Sequence, residues 1–175
     1  MMLPEPESAL VITTAEALPA PFIAVYEYWS NLMVPPAIMP RHESFRLDDL
    51  ASRLIPWSVL VDVSTDQTEF VFRFWGTERA RLIGAELTGK TTEDIPTSFM
   101  RDANIAEYRD VVAQKRPMLC KTPVTTKSGR QAIFQSIRLP LADERGTVAR
   151  VFSAMDYEQI SDASYEFFGT QIFGR

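Results

Sequence analysis

The sequence predicts an α+β domain: a five-stranded antiparallel sheet, short helices on one face, and a helical extension ahead of the sheet. Three observations predict it. Two β-rich segments, "WSVLVDV" and "TEFVFRFWG", are joined by the turn-forming "STDQ" and read as a hairpin. Three more, "PMLCKTPVTT", "QAIFQSIRLPL" and "VARVFSAMDYE", are separated by "KSGR" and "ADERG", polar glycine-containing linkers of hairpin length. Between the two groups lie short helical runs that can cover one face of the sheet.

Taken in order, residues 1–20 carry Pro4, Pro6 and Pro19 and hold no sustained period, so they read as a flexible arm, although "ALVITT" could form a short strand. Residues 21–55 form the helical extension. Pro21 suits a helix start because its missing N–H is not needed there. In "PFIAVYEYWSNLM", Phe22, Val25, Tyr26, Trp29, Leu32 and Met33 recur at helical spacing and make one apolar stripe. That stripe is expected to cover the sheet, and also to join two copies of the chain. "VPPAIMPRHESFR" is a proline-rich connector, and "LDDLASRLIPW" reads as a short helix with acidic residues in its first turn, ended by Pro56.

Residues 56–158 are the expected core. After the first hairpin, Gly76 permits a sharp turn and Thr77 is a candidate cap for "TERARLIG"; "TTEDIP" and "NIAEYRDVVAQ" follow. The last run places Ile105, Tyr108, Val111 and Val112 on one face, with Asn104 as its cap. Residues 159–175 form a tail in which Phe167, Phe168, Ile172 and Phe173 are more apolar than a free terminus needs, which points to packing on the domain or on a partner.

Composition narrows the function classes. The 175 residues are 46% apolar and 23% charged, ordinary for a globular domain with a real core. No apolar run reaches the roughly 20 residues of a membrane helix, and the first residues do not read as a secretory signal. A net charge of −5 with scattered arginines disfavours nucleic acid. Cys120 is the one cysteine and His42 the one histidine, which rules out an internal disulfide and any zinc site needing several such ligands. A cytoplasmic location is expected.

Five stretches, in this order and spacing, carry a resemblance: "YEYWSNL" followed by Pro40-Arg41; "DLASRLIPW" leading into "VLVDV"; "FRFWGTERARLIGAELTGKTTEDI"; "YRDVVAQKRPML"; and "IRLPLADERGTVARVFSAMDYE". Together they resemble a PAS domain, in particular a group of bacterial single-domain PAS proteins common in alphaproteobacteria. The resemblance spans about residues 26 to 158. It implies a PAS-like sheet with helices enclosing a small cavity, dimerisation through the N-terminal helix, and a sensory or protein-interaction role rather than catalysis. It implies no particular ligand. The 17 residues after 158 are too few for a kinase, cyclase or DNA-binding module, so the signal is expected to pass to a separate protein.

The candidate ligand-binding residues are Phe72, Phe74, Arg73 and Tyr108. Strand alternation sets Phe70, Phe72 and Phe74 on one face, facing inward, and Val71, Arg73 and Trp75 on the other. Arg73 either pairs with an acidic ligand or is held by a carboxylate or an aromatic ring; the second reading is preferred. "GAELTGKT" at 84–91 matches a phosphate-loop string, but it follows a short helix rather than a buried parallel strand, and the match is read as coincidence.

No catalytic residues are expected. His42, in the connector, has no legible nucleophile or orienting partner. Nor does it suit haem, because haem-binding PAS domains take their histidine from the long central helix, where this chain offers Tyr108. Nothing resembles the Asn-Cys-Arg-Phe motif of flavin photosensors, and Cys120 reads as a buried inert thiol. The cofactor is therefore unknown, with haem, flavin and metal unsupported. The alternative is a small isomerase- or hydratase-like enzyme, which needs an acid–base pair in an enclosed pocket. Asp62, Glu69 and Asp94 are available, each better explained as a strand-edge or turn residue; a carboxylate aimed into the cavity would favour the enzyme.

Overall fold

In the computed structural model, which describes residues 7–173, the chain is organised by one antiparallel sheet. Its strands are β1 (Glu7–Val11), β2 (Ser58–Val63), β3 (Phe70–Trp75), β4 (Met118–Thr125), β5 (Gln131–Ala142) and β6 (Val148–Met155). Their spatial order is β1-β4-β5-β6-β2-β3. The sheet thus has six strands rather than five. The additional strand falls within the residues expected to be an arm: Leu10 pairs with Leu119 and Val11 with Met118, and the Ile12 N–H donates to the Pro117 carbonyl at 2.9 Å. The edge of β4 offers unpaired backbone groups, and this short extended segment satisfies them. Residues 1–6 of the expected arm lie outside the described residues.

Four helices surround the sheet: α1 (Ala20–Asn31), α2 (Thr77–Ile83), α3 (Ser98–Gln114) and α4 (Asp162–Phe173). They divide between its two faces. On the outer face α1 buries Phe22, Val25 and Trp29, and the Trp29 indole N–H donates to the Pro140 carbonyl at 2.8 Å. The connector follows the same face, where the Phe45 ring lies 5.0 Å from that of Phe152. The inner face carries α3 and α4, with α2 packed against α4. The aromatic tail is therefore a helix docked on its own domain. Phe167 and Phe168 lie 5.9 and 5.1 Å from Phe134 on β5. The side chains of Ile172 and Phe173 lie outside the described residues.

Three local expectations change. "LDDLASRLIPW" forms two 3-10 turns, Leu47–Asp49 and Ile55–Trp57, instead of a helix. Leu50 turns extended and buries, and a run this short cannot repay helix nucleation. The long central helix starts at Ser98, so Asn104 is not a cap; it sits two turns inside, buried. At the α2 entrance Gly76 itself is the cap residue and Thr77 the first helical residue. Gly76 has φ −65°, so it is needed for space rather than for backbone freedom: a Cβ there would lie 2.2 Å from the Pro56 carbonyl oxygen. Gly84, at φ 72°, closes α2 in the left-handed conformation.

Candidate functional site

The inner face of the sheet and α3 enclose a polar cluster centred on Arg138. On β5, even-numbered residues face α3, which brings Phe134, Ser136 and Arg138 to one wall. Arg138 is 2% exposed and fully engaged. Its Nε donates to Glu107 at 3.0 Å, its Nη1 to the Ser153 hydroxyl at 3.0 Å, and its Nη2 to Asn104 Oδ1 at 2.9 Å and to the same Glu107 carboxylate. The guanidinium also lies 4.2 Å from the Tyr108 ring centroid. Asn104 is oriented from behind, its amide donating to the Met100 carbonyl one turn earlier at 2.7 Å. Burial works against the charge of Arg138, but the Tyr108 hydroxyl and the Glu107 carboxylate outweigh it and raise its pKa. Cys120, on the same face, is pushed up to about 12 chiefly by burial and next by Glu107, which makes it an inert thiol.

Arg79 is the second buried arginine, 3% exposed on α2. It stands 5.1 Å from the Trp75 ring centroid. Unlike Arg138 it has no hydrogen bond or ion pair among the described residues, and its Nε is buried without a partner. Burial lowers its pKa to about 10, which leaves it charged at neutral pH. Arg79 and Arg138 line one small cavity with Asn104, Glu107 and Thr122, closed by Met100, Phe134 and Met155. Its volume, about 10 Å³, is room for a single water-sized group.

The expected ligand residues do not come together. Phe72 is fully buried on the inner face, its ring 4.7 Å from Trp75. Tyr108 is fully buried on α3, against Phe70 at 5.3 Å, with its hydroxyl unpartnered. Arg73 and Phe74 lie on the other side of the sheet. The reason is a bulge: Val61 pairs with Phe72 but Leu60 with Phe74, so Arg73 has no partner in register and the alternation shifts by one. Trp75, not Phe74, returns to the inside. Arg73 is half-exposed and donates from Nε to both Asp62 oxygens at 2.9 and 2.8 Å, a carboxylate it shares with Arg150 at 2.8 Å. That is the ion-pair reading preferred from the sequence; the arginine that stacks on Trp75 is Arg79, one helical turn on.

Sequence reasoning missed Arg79, Arg138 and Glu107, although signals exist for two of them. Arg138 interrupts an apolar strand as Arg73 does. Arg79 shares the helical spacing of buried Leu82 and Ile83. None of the three carboxylates considered for an enzyme lines the cavity: Asp62 is held by the two arginines, Glu69 is exposed just ahead of β3, and Asp94 closes a capping box with Thr91. "GAELTGKT" ends α2 and forms a loop whose Gly89 N–H and Lys90 carbonyl bond the Phe72 backbone on the open edge of β3. It opens no helix of phosphate-loop kind. His42 is half-buried, with its backbone N–H donating to the Ala142 carbonyl at 2.9 Å. Among the described residues no group of three or more His, Cys, Asp or Glu is placed to hold a metal, and no helix is long and apolar enough to cross a membrane. A larger surface groove of about 480 Å³, lined by Val34, Ile38 and Arg145 among others, runs beside the β5–β6 turn.

The family model that matches the chain is described as a PAS domain and spans residues 18–156. No curated protein matches the sequence. Among solved structures, a light-oxygen-voltage domain studied with a flavin analogue is 14% identical, with TM-score 0.40, covering 60% of this chain and 77% of its own. VqmA of Vibrio cholerae, in complex with ligand and DNA, is 12% identical, with TM-score 0.43, covering 57% of this chain and 45% of its own. An RNA-binding light-oxygen-voltage receptor is 13% identical, with TM-score 0.41, covering 98% of this chain and 43% of its own. The chain thus spans under half the length of the last two.

Proposed function

The chain belongs to the PAS domain family, a family of sensory modules, and from that premise we propose that it takes a small ligand inside the domain and passes its occupancy to a separate signalling protein through α4. The observation that carries this reading is the position of Phe134. Its ring lines the polar cavity and also receives Phe167 and Phe168 of α4. A ligand that displaces Phe134 must therefore move the surface on which α4 rests, because packed interiors transmit displacement rather than absorb it.

The protein is read as cytoplasmic and dimeric. The stripe expected to join two copies is largely spent on the sheet, since Phe22, Val25 and Trp29 are buried within one chain. A dimer through α1 would use the flank of that stripe, where Ile23 and Tyr26 are only partly covered. One observation favours the enzyme reading: Glu107 is a carboxylate at the cavity. Its bonds to Arg138 argue against a free base, because a base must have its lone pair available to substrate. The test of the sensory reading is to denature the purified protein and identify released small molecules by mass spectrometry. A reproducible molecule whose re-addition slows hydrogen exchange in α4 is the expected result. An empty protein that does not bind small molecules, yet captures a signalling partner, would replace sensing by a pure interaction role.

A further inference from the structure

We infer that the group recognised in the cavity is an anion, a carboxylate or phosphate held by the guanidinium of Arg79. The inference rests on the ligand-binding reading above and names the class of ligand. It follows from a charge count at the site. Two guanidinium groups, Arg79 and Arg138, line the cavity with one carboxylate, Glu107. Glu107 is committed to Arg138, whose remaining donors go to Asn104 and Ser153. Arg79 is left as a buried cation with no hydrogen-bonded or ion-paired anion among the described residues; the Glu107 carboxylate acts on it only at longer range, and its Nε makes no hydrogen bond. Buried charges are ordinarily paired, and the Trp75 ring beneath Arg79 is a weak substitute for a counter-ion.

The other cavity walls fit this assignment. Thr122 and Ser136 add hydroxyl groups that can donate to an oxygen anion, while Met100, Ala103, Phe134 and Met155 supply an apolar surround. The present cavity accommodates one water-sized group, which suffices for the head of the ligand only. Met100 and Met155 are unbranched, and their rotation is the cheapest way to admit a short apolar body behind it. An anion with a small hydrocarbon portion is therefore favoured over a bulky or neutral ligand.

The test uses the full chain at constant ionic strength, with sodium butyrate, sodium phosphate and the neutral isostere butyramide as probes in thermal unfolding and calorimetry. Butyrate or phosphate should raise the unfolding temperature by about 3 °C or more at tenfold excess over its dissociation constant, and butyramide should not. Arg79→Met should weaken anion binding at least tenfold, with Arg79→Lys retaining part of it. Arg79→Met should itself unfold no lower than the parent, since an unpaired buried charge is removed. Should that variant fail to fold, the butyrate–butyramide comparison on the parent chain and the lysine variant decide the matter. A shift with butyrate alone assigns a carboxylate, and with phosphate alone a phosphate. Equal shifts by butyramide, a neutral molecule released on denaturation, or undiminished anion binding in Arg79→Met would overturn the anion assignment while leaving ligand binding intact. No response to either anion together with no released molecule would overturn both.

Discussion

Arg138 and Arg79 are both buried arginines, yet substitution should affect them in opposite directions. Removing the Arg138 guanidinium strands Glu107, whose side chain is only 12% exposed, together with Asn104 Oδ1. Arg138→Met should therefore cost about 3–5 kcal/mol in denaturant unfolding; a loss under 1 kcal/mol would show that Glu107 is not dependent on it. Gly76 is a second residue whose substitution is decided by local geometry. Its missing Cβ is what lets the Pro56 carbonyl and Ser58 backbone approach, and atoms of the main chain cannot swing aside. Gly76→Ala should destabilise by about 1–3 kcal/mol or more, whereas an unchanged midpoint would mean that the strand end has room to shift.

At the scale of elements, Asp62 ties three strands together on the outer face, accepting from Arg73 on β3 and Arg150 on β6. Burial alone would raise its pKa, but the bonds from Arg73 and Arg150 prevail and hold it below the ordinary 3.8. The folded chain thus takes up this proton less readily than the unfolded one. The stabilisation is complete above the unfolded value near 3.8 and is lost as pH falls through the lower folded value. Asp62→Asn should flatten this part of the acid limb and cost about 0.5–1 kcal/mol at neutral pH, a figure kept small by partial exposure. Identical acid unfolding curves for variant and parent would refute it. Asp156, raised by burial, works in the opposite sense and partly masks the effect in the parent.

The elements also show what sequence patterns can and cannot reveal. The five strands after residue 56, helix α1 and the central helix were legible because period 2 and period 3.6 are imposed by burial of one face, and these segments bury one face. Strand β1 was only hinted at by "ALVITT", since pairing to an edge depends on where β4 ends up. The bulge at Arg73 was not legible: Phe70, Phe72 and Phe74 alternate in sequence, and only the register with β2 reveals that Phe74 leaves the interior. For the site, Tyr108 and Phe72 were placed in the interior correctly, but Arg79, Glu107 and Arg138 come from three different elements. Their meeting is a property of the packed fold.

On the scale of the whole molecule, β5 is shared by both faces. Its Pro140 carbonyl receives Trp29 of α1 on the outside, and its Phe134 receives α4 on the inside. Phe168, 1% exposed, is the main anchor of α4 among the described side chains. Phe168→Ala should cost about 3–5 kcal/mol of local docking, seen as faster hydrogen exchange over residues 162–169 while the β5–β6 amides stay protected. Loss of protection throughout the sheet would instead make α4 part of the cooperative core, and would leave it unsuited to carry a signal on its own.

The stacking of Arg79 on Trp75 has an optical consequence. A guanidinium 5.1 Å from an indole centroid sets the electrostatic field that the excited ring experiences. If an anion draws the Arg79 guanidinium off the ring, the emission colour and lifetime of that indole should change. With Trp29 and Trp57 replaced by phenylalanine, Trp75 becomes the sole tryptophan emitter, and an anion-dependent change in its emission tests the proposed assignment without a label.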